Sequence, residues 1–241
     1  MLALWRKEVF ALLYSLIAYI TWAIFLVGTG LFLWVFSGSV VQTGMAEMDS
    51  FFSIAPWFLL FLAPALTMRS FSEEFRTGTY ELLATAPIPR AGIVLAKFLA
   101  VTTVLFFALV PTFIFYASLS WLAQPRGALD HGAIQGAYVG LFSVGLALSA
   151  LGIWASTLTP HTIIAFLIGL FLGFLWLMGW EFASELPIGR FWQTFLAQMS
   201  LMEHYRSLSR GVLDSRDILY FLTLIGIALA LAHLQLSRRH L

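Results

Sequence analysis

The 241-residue chain has no cysteine. That excludes disulfides, thiolate metal sites and cysteine nucleophiles, and says little about compartment. Charge is nearly as scarce. Only 10% of residues are charged, with 13 Lys and Arg against 12 Asp and Glu, a formal net charge of +1. That balance gives nucleic acid no electrostatic footing as a partner. No Gly-x-x-x-x-Gly-Lys-Ser/Thr loop occurs, so the chain does not bind a nucleotide in the P-loop manner. His-Glu-x-x-His and Gly-x-Ser-x-Gly are also missing, which removes two common hydrolase signatures. There is no repeat of fixed period and no low-complexity segment.

What is present is apolar. The hydrophobic fraction is 61%, where water-soluble domains sit at about 45–50%. A run of about 20 apolar residues crosses a ~30 Å hydrocarbon core. The chain has room for six such runs and lacks the alternation of a lipid-facing barrel, which predicts an all-α integral membrane protein. The spans are predicted near Ser15–Phe36, Ile54–Met68, Ile93–Leu119, Ala133–Leu158, His161–Trp180 and Ile218–Leu236. Pro111 predicts a kink in the third. Thr159 and Pro160 read as N-cap and first-turn proline of the fifth. Arg6 and Lys7 ahead of an apolar run outline a signal peptide, but the run is too long for one, so the first span is read as retained. Residues 1–14 read as a short amphipathic helix in the membrane interface, with Leu2, Trp5, Val9 and Leu12 on one side and Arg6, Lys7 and Glu8 on the other. The alternative is a plain extension of the first span.

Six spans put both termini on one side. That side holds Arg6, Lys7, Arg69, Arg76, Arg90, Lys97, Arg238 and Arg239; the other holds Arg126, Arg190, Arg206, Arg210 and Arg216. The positive-inside rule then places both termini and residues 70–90 in the cytoplasm. The whole chain, 1–241, reads as one membrane domain.

The most informative stretch is Ser70–Arg90, SFSEEFRTGTYELLATAPIPR. Phe71 and Phe75 share a helical face, with Glu73, Glu74 and Arg76 elsewhere. Thr77-Gly78 allows a break, Thr79–Ala84 forms a second short helix, and Pro87 and Pro89 end it. The reading is a stiff elbow with aromatics toward the membrane and carboxylates toward the cytosol, which suits docking of a soluble partner. A solvated connector is the plain alternative.

These residues carry a resemblance. The pattern EE-x-R-x-GT-x-E-L-L-x-x-x-P-I-x-R, Glu73 to Arg90, resembles the loop between spans two and three of ABC-2 type exporter permeases. IVLAKFLA from Ile93 resembles their entry to span three, and HYRSLSRGVLDSRDILYFL from His204 resembles their last outward helix and entry to span six. The nearest subgroup is the gliding-motility-type permeases, related to nitrous-oxide-reductase maturation permeases. The resemblance implies a bacterial inner-membrane permease pair, of two copies or of this chain with a relative, docked on cytosolic ATPase subunits that carry ATP and magnesium. This chain itself binds no cofactor and no metal, and is no enzyme. An accessory periplasmic subunit is a further implied partner. The elbow would be the coupling helix, with Phe71, Glu73, Glu74, Phe75, Arg76, Gly78, Thr79, Glu81 and Leu82 as its ATPase-facing residues. Spans one, two and five would line the path.

Other features are read beside that. Trp57, Phe58 and Phe61 are candidate path-lining residues, with core or lipid-facing packing as the alternative. Gly136 and Gly140, and Gly169 and Gly173, form two G-x-x-x-G pairs that let helices approach closely. Residues 181–217 read as short outward helices dipping into the outer leaflet, as gate or lid. Pro187-Ile188-Gly189 breaks them, Gly211 stops them, and Asp214 with Asp217 caps the sixth span. Neither His161 nor His233 has an obvious carboxylate in its own helix near mid-membrane. The near absence of buried charge argues against proton-coupled transport. A membrane scaffold for a cytosolic machine uses the same docking surface. An intramembrane protease built on Ser143 and His233 lacks the glycine-framed serine motif.

Overall fold

The computed structural model describes residues 1–36, 38–45, 47–85, 87–123, 129–187, 189–212 and 214–238. Pro125, Arg126, Ile188 and Arg239 lie outside the described residues.

All regular structure among the described residues is helical. In chain order come α1 (Leu2–Leu13), α2 (Leu16–Trp34), α3 (Val40–Thr43), α4 (Asp49–Thr67), α5 (Ser72–Thr77), α6 (Tyr80–Ala84), α7 (Arg90–Leu109) and α8 (Phe113–Leu122). Then follow α9 (His131–Leu158), α10 (Thr162–Phe174), α11 (Trp180–Ser184), α12 (Arg190–Ala197), α13 (Leu201–Ser209) and α14 (Ser215–Arg238). Six helical stretches are long and apolar enough to cross a membrane: Leu16–Trp34, Asp49–Thr77, Arg90–Leu122, His131–Leu158, Thr162–Ser184 and Ser215–Arg238.

Several boundaries differ from the sequence reading, each for a local reason. The second span starts at Asp49, not Ile54, because Phe51 and Phe52 are buried on its first turn and Ser50 Oγ anchors to Gly38 O at 2.7 Å. Its helix then turns at residues 68–71 before α5. At Pro111 the third span tightens into a 3-10 turn, Val110–Thr112, where proline has no N–H to give. Thr159 and Pro160 do not start the fifth span. Thr159 is extended and its hydroxyl accepts from the His161 amide at 3.2 Å, so the helix begins at Thr162, beyond the proline. That span later widens into a π-helical turn, Leu175–Gly179.

The helix α9 is the hub. Asp130 caps it, its carboxylate accepting from the Gly132 and Ala133 amides at 3.0 Å each. Of its apolar window 72% is buried inside the chain, against 22% for both the first and fifth spans, so those two lie at the rim. The glycine pairs explain the close packing. A Cβ on Gly136 would lie 2.3 Å from the Leu208 carbonyl oxygen, and one on Gly140 would lie 3.0 Å from the Tyr205 ring. These two seat α13 against α9. Gly169 and Gly173 bring α10 onto Pro64, Leu60 and Leu148 of α4 and α9. Gly136→Ala meets backbone that cannot swing away, so it is expected to destabilise by about 1–3 kcal/mol. Gly226, with open space around it, is the control. Thermal unfolding in detergent should show a lower midpoint for Gly136→Ala and none for Gly226→Ala.

The core falls into two clusters. One, built on Phe51, Leu59, Leu105, Leu141 and Tyr205, fills the centre and the end away from the termini. The other gathers Leu4, Phe71, Tyr80, Ile93, Leu151 and Leu236 at the end that carries both termini. Arg90 Nη1 donates to Ser237 O at 3.3 Å and holds the end of α14 beside the start of α7.

Candidate functional site

The elbow lies at the terminus-bearing end, between the second and third spans. Gly78 divides it into α5 and α6 with a φ of +72°, a left-handed conformation that suits glycine. Thr77 Oγ1 donates to Glu73 O at 2.9 Å and accepts from Thr79 Oγ1 across the break, also at 2.9 Å. Ser72 Oγ donates to the Met68 carbonyl at the inner bend.

The two faces of the elbow differ sharply. Phe71 is fully buried and stacks on Phe75, ring centroids 6.2 Å apart, and Phe75 meets Tyr80 edge-on at 5.1 Å. This aromatic wedge enters the second core cluster, with Leu83 beside it. Arg76, Thr77, Gly78, Thr79, Glu81 and Leu82 face outward, and the Leu82 side chain is 74% exposed. Glu73 sits between, 3.6 Å from Arg76 and 3.9 Å from Arg69, exposed pairs that contribute little to stability.

Glu74 does not point to solvent, contrary to the sequence reading. It turns inward because Lys97 is there. Lys97 Nζ lies 2.6 Å from Glu74 Oε1 and 3.2 Å from Glu8 Oε2, with only 2% of its side chain exposed. It also lies 5.1 Å from the centre of the Phe71 ring. Lys97 is seven residues into α7, about 10 Å along the axis at 1.5 Å per residue. A cation that deep requires counter-charge, and two elements supply it to α7: α1 through Glu8 and the elbow through Glu74.

The same contact reorders α1. Its packed side is Leu4, Trp5, Glu8 and Leu12, while Leu2 is 79% exposed. Glu8 therefore does not share the polar side with Arg6 and Lys7. Trp5 Nε1 donates to Thr103 Oγ1 at 3.3 Å, a second tie between α1 and α7. A polar cleft of about 230 Å³ opens beside the cluster, lined among others by Lys7, Arg69 and Glu73.

The other sequence-predicted residues are scattered. Trp57 lines a cavity at the far end, with α9 and α13. Phe58 and Phe61 line a separate apolar groove with Ile24 and Phe166. His161 is exposed, and the buried His233 Nδ1 has no hydrogen-bond partner among the described residues. Ser143 Oγ donates to Val139 O at 2.8 Å and does not meet His233. The expectation of near-absent buried charge is corrected by Lys97 and by Asp217, which is 6% exposed. Asp214 caps α14, accepting from the Arg216 amide at 2.9 Å. The Asp217 carboxylate instead faces His204.

That histidine was missed in the sequence. His204 Nδ1 lies 2.7 Å from Asp217 Oδ1 and Nε2 lies 2.9 Å from Gln198 O. A carboxylate and a carbonyl both accept, so both contacts are satisfied when both ring nitrogens carry hydrogen. The ring stacks on Tyr220 at 3.9 Å, and Tyr205 OH donates to Phe52 O at 2.7 Å. Burial pushes the Tyr205 phenol well above its usual range, so it remains a donor. Together they pin α13 to α14 and α4. His204→Ala is expected to lower stability by about 1.5–3 kcal/mol, the worth of a charge-assisted bond, measured as a lower unfolding midpoint.

The architecture of six spans, an elbow between the second and third, and short helices before the sixth can now be set beside known proteins. A family model for ABC-2 family transporter proteins matches residues 3–241. The chain belongs to that family. No curated protein matches it. As an ABC-2 protein it is a membrane permease component of an ABC transporter, a class whose ATP hydrolysis falls to an ATPase partner. The ABC-2 match spans every element described above, including the elbow and Lys97.

Proposed function

We propose that this chain is the permease of an ATP-driven exporter and that its elbow is the surface on which the ATPase seats. The observation that carries the reading is the two-faced elbow. Its outer rim offers Arg76, Thr79, Glu81 and Leu82 to a partner. Its inner face is fixed to the bundle by Phe71, Phe75 and the Glu74–Lys97 pair. A simple connector needs neither property. A lever needs both, because force on the rim must reach the spans without being lost in a soft joint.

In this reading α1 lies in the interface plane on the ATPase side and moves with the elbow through Glu8. Both termini are cytoplasmic, and the membrane is a bacterial inner membrane. The amphipathic helices α12 and α13 close the outward end. The permease works as a pair, of two copies or of this chain with a relative in the gliding-motility-type subgroup. The rim spans α2 and α10, with their large unburied apolar faces, are where a second permease would add contacts.

The test is affinity purification of the chain in mild detergent with mass spectrometry of what is retained. An ATPase bearing a P-loop, in equal stoichiometry, is the expected result. Recovery of the chain alone, under conditions that preserve other ABC complexes, overturns the docking reading. ATP hydrolysis that rises with a transported substrate separates export from a scaffold role.

A further inference from the structure

At the end of the bundle away from the termini lies a cavity of about 480 Å³, within the size range of small-molecule sites. It opens between α4, α9, α13 and the π-helical turn, which contributes Met178. π-turns inside helices often mark functional positions. The floor is apolar and aromatic, with Phe52, Trp57, Met178 and Tyr205.

The charges at its edge decide what fits. Arg206 is occupied: its guanidinium is 2.7 Å from Glu181 and 4.0 Å from Glu203. Arg210 and Asp49 also line the cavity, and neither has an ion-pair partner among the described residues. A free cation and a free carboxylate thus flank an aromatic floor. A purely anionic ligand would meet Asp49 with like charge, and a purely cationic one would meet Arg210.

We propose that this cavity binds a zwitterionic amphiphile, with its phosphate-like group at Arg210, its ammonium at Asp49 and its apolar body over Trp57 and Phe52. The site needs no ATPase, so binding is measured without nucleotide, and its failure leaves the coupling reading untouched.

The probe is radiolabelled dihexanoyl phosphatidylethanolamine, titrated onto the purified full chain in maltoside micelles. Saturable binding is expected, at least about tenfold tighter than for phosphatidylglycerol of equal chain length, which lacks the ammonium. Free phosphoethanolamine, without the apolar body, is expected to bind more weakly by a similar factor. Arg210→Gln should weaken binding by about tenfold or more, and Asp49→Asn should abolish the preference over phosphatidylglycerol. Ser53→Trp, at an exposed lining position, should block the cavity without touching either charge. Arg216→Gln, outside the cavity lining, should leave binding unchanged. Equal binding of the two phospholipids to the unaltered chain overturns the proposal. So does wild-type binding by both Arg210→Gln and Ser53→Trp.

Discussion

Lys97→Met is expected to cost about 3–5 kcal/mol of stability, because it leaves Glu74 and Glu8 facing each other in a largely buried site with only the exposed Lys7, 3.6 Å from Glu8, as counter-charge. In a chain of this size that corresponds to a fall in unfolding midpoint on the order of 10 °C. The loss does not measure the worth of the triad. Replacing all its members by apolar groups of similar size often restores or improves stability, since the desolvation of three ionised groups is relieved together. Lys97→Met combined with Glu74→Met and Glu8→Met should therefore recover most of the midpoint. A single Lys97→Met protein that melts with the wild type would show that the triad is not a buried ionic cluster. The triple variant carries a second reading: if the charges also transmit force between elbow and bundle, it folds but loses substrate-stimulated hydrolysis by its ATPase.

The second large effect is at the outer rim of the elbow. Glu81→Lys with Leu82→Asp is expected to weaken ATPase recovery at least about tenfold while leaving the unfolding midpoint unchanged. The charge reversal removes contacts worth about 1.5–3 kcal/mol, and the aspartate removes the apolar contact of a leucine that is 74% exposed in the free chain. Glu74→Lys belongs to a different class. The sequence reading groups Glu74 with Glu81 as an outward, ATPase-facing carboxylate. The structure places Glu74 at 2.6 Å from Lys97, so Glu74→Lys sets two cations together in a buried site and should fail to fold. Full ATPase recovery by the Glu81→Lys, Leu82→Asp protein would remove the rim from the docking surface.

Pressing on the elbow should first move what its inner face touches. Phe71 and Tyr80 sit in a cluster with Ile93 of α7, Leu151 of α9 and Leu236 of α14. The first and fifth spans, which the family resemblance assigns to the path, join the motion through α4 and α9, against which they pack. The close glycine contacts of α10 with α4 and α9 leave little room for slack along that route.

Helical class, span number and the position of the elbow were legible in the sequence, because each rests on a local property. Apolar run length decides what can cross a bilayer. Gly78 between Thr77 and Thr79 marks a break wherever it occurs, and the Glu73-to-Arg90 pattern is contiguous. The boundaries that moved did so where a nearby polar group competed with the simple signal, as the Thr159 hydroxyl does ahead of Pro160. Only the tertiary structure decided which charges are buried and with whom. Lys97 stands alone in an apolar run, a signal that it needs a partner, but the partners lie 23 residues upstream and in the first helix. The His204–Asp217 contact and the paired Arg206 beside an unpaired Arg210 are likewise products of chain folding. Periodicity shows which face of a helix is apolar, whereas the inward turn of Glu8 and Glu74 follows the field of one cation on α7 that reaches two other elements at once.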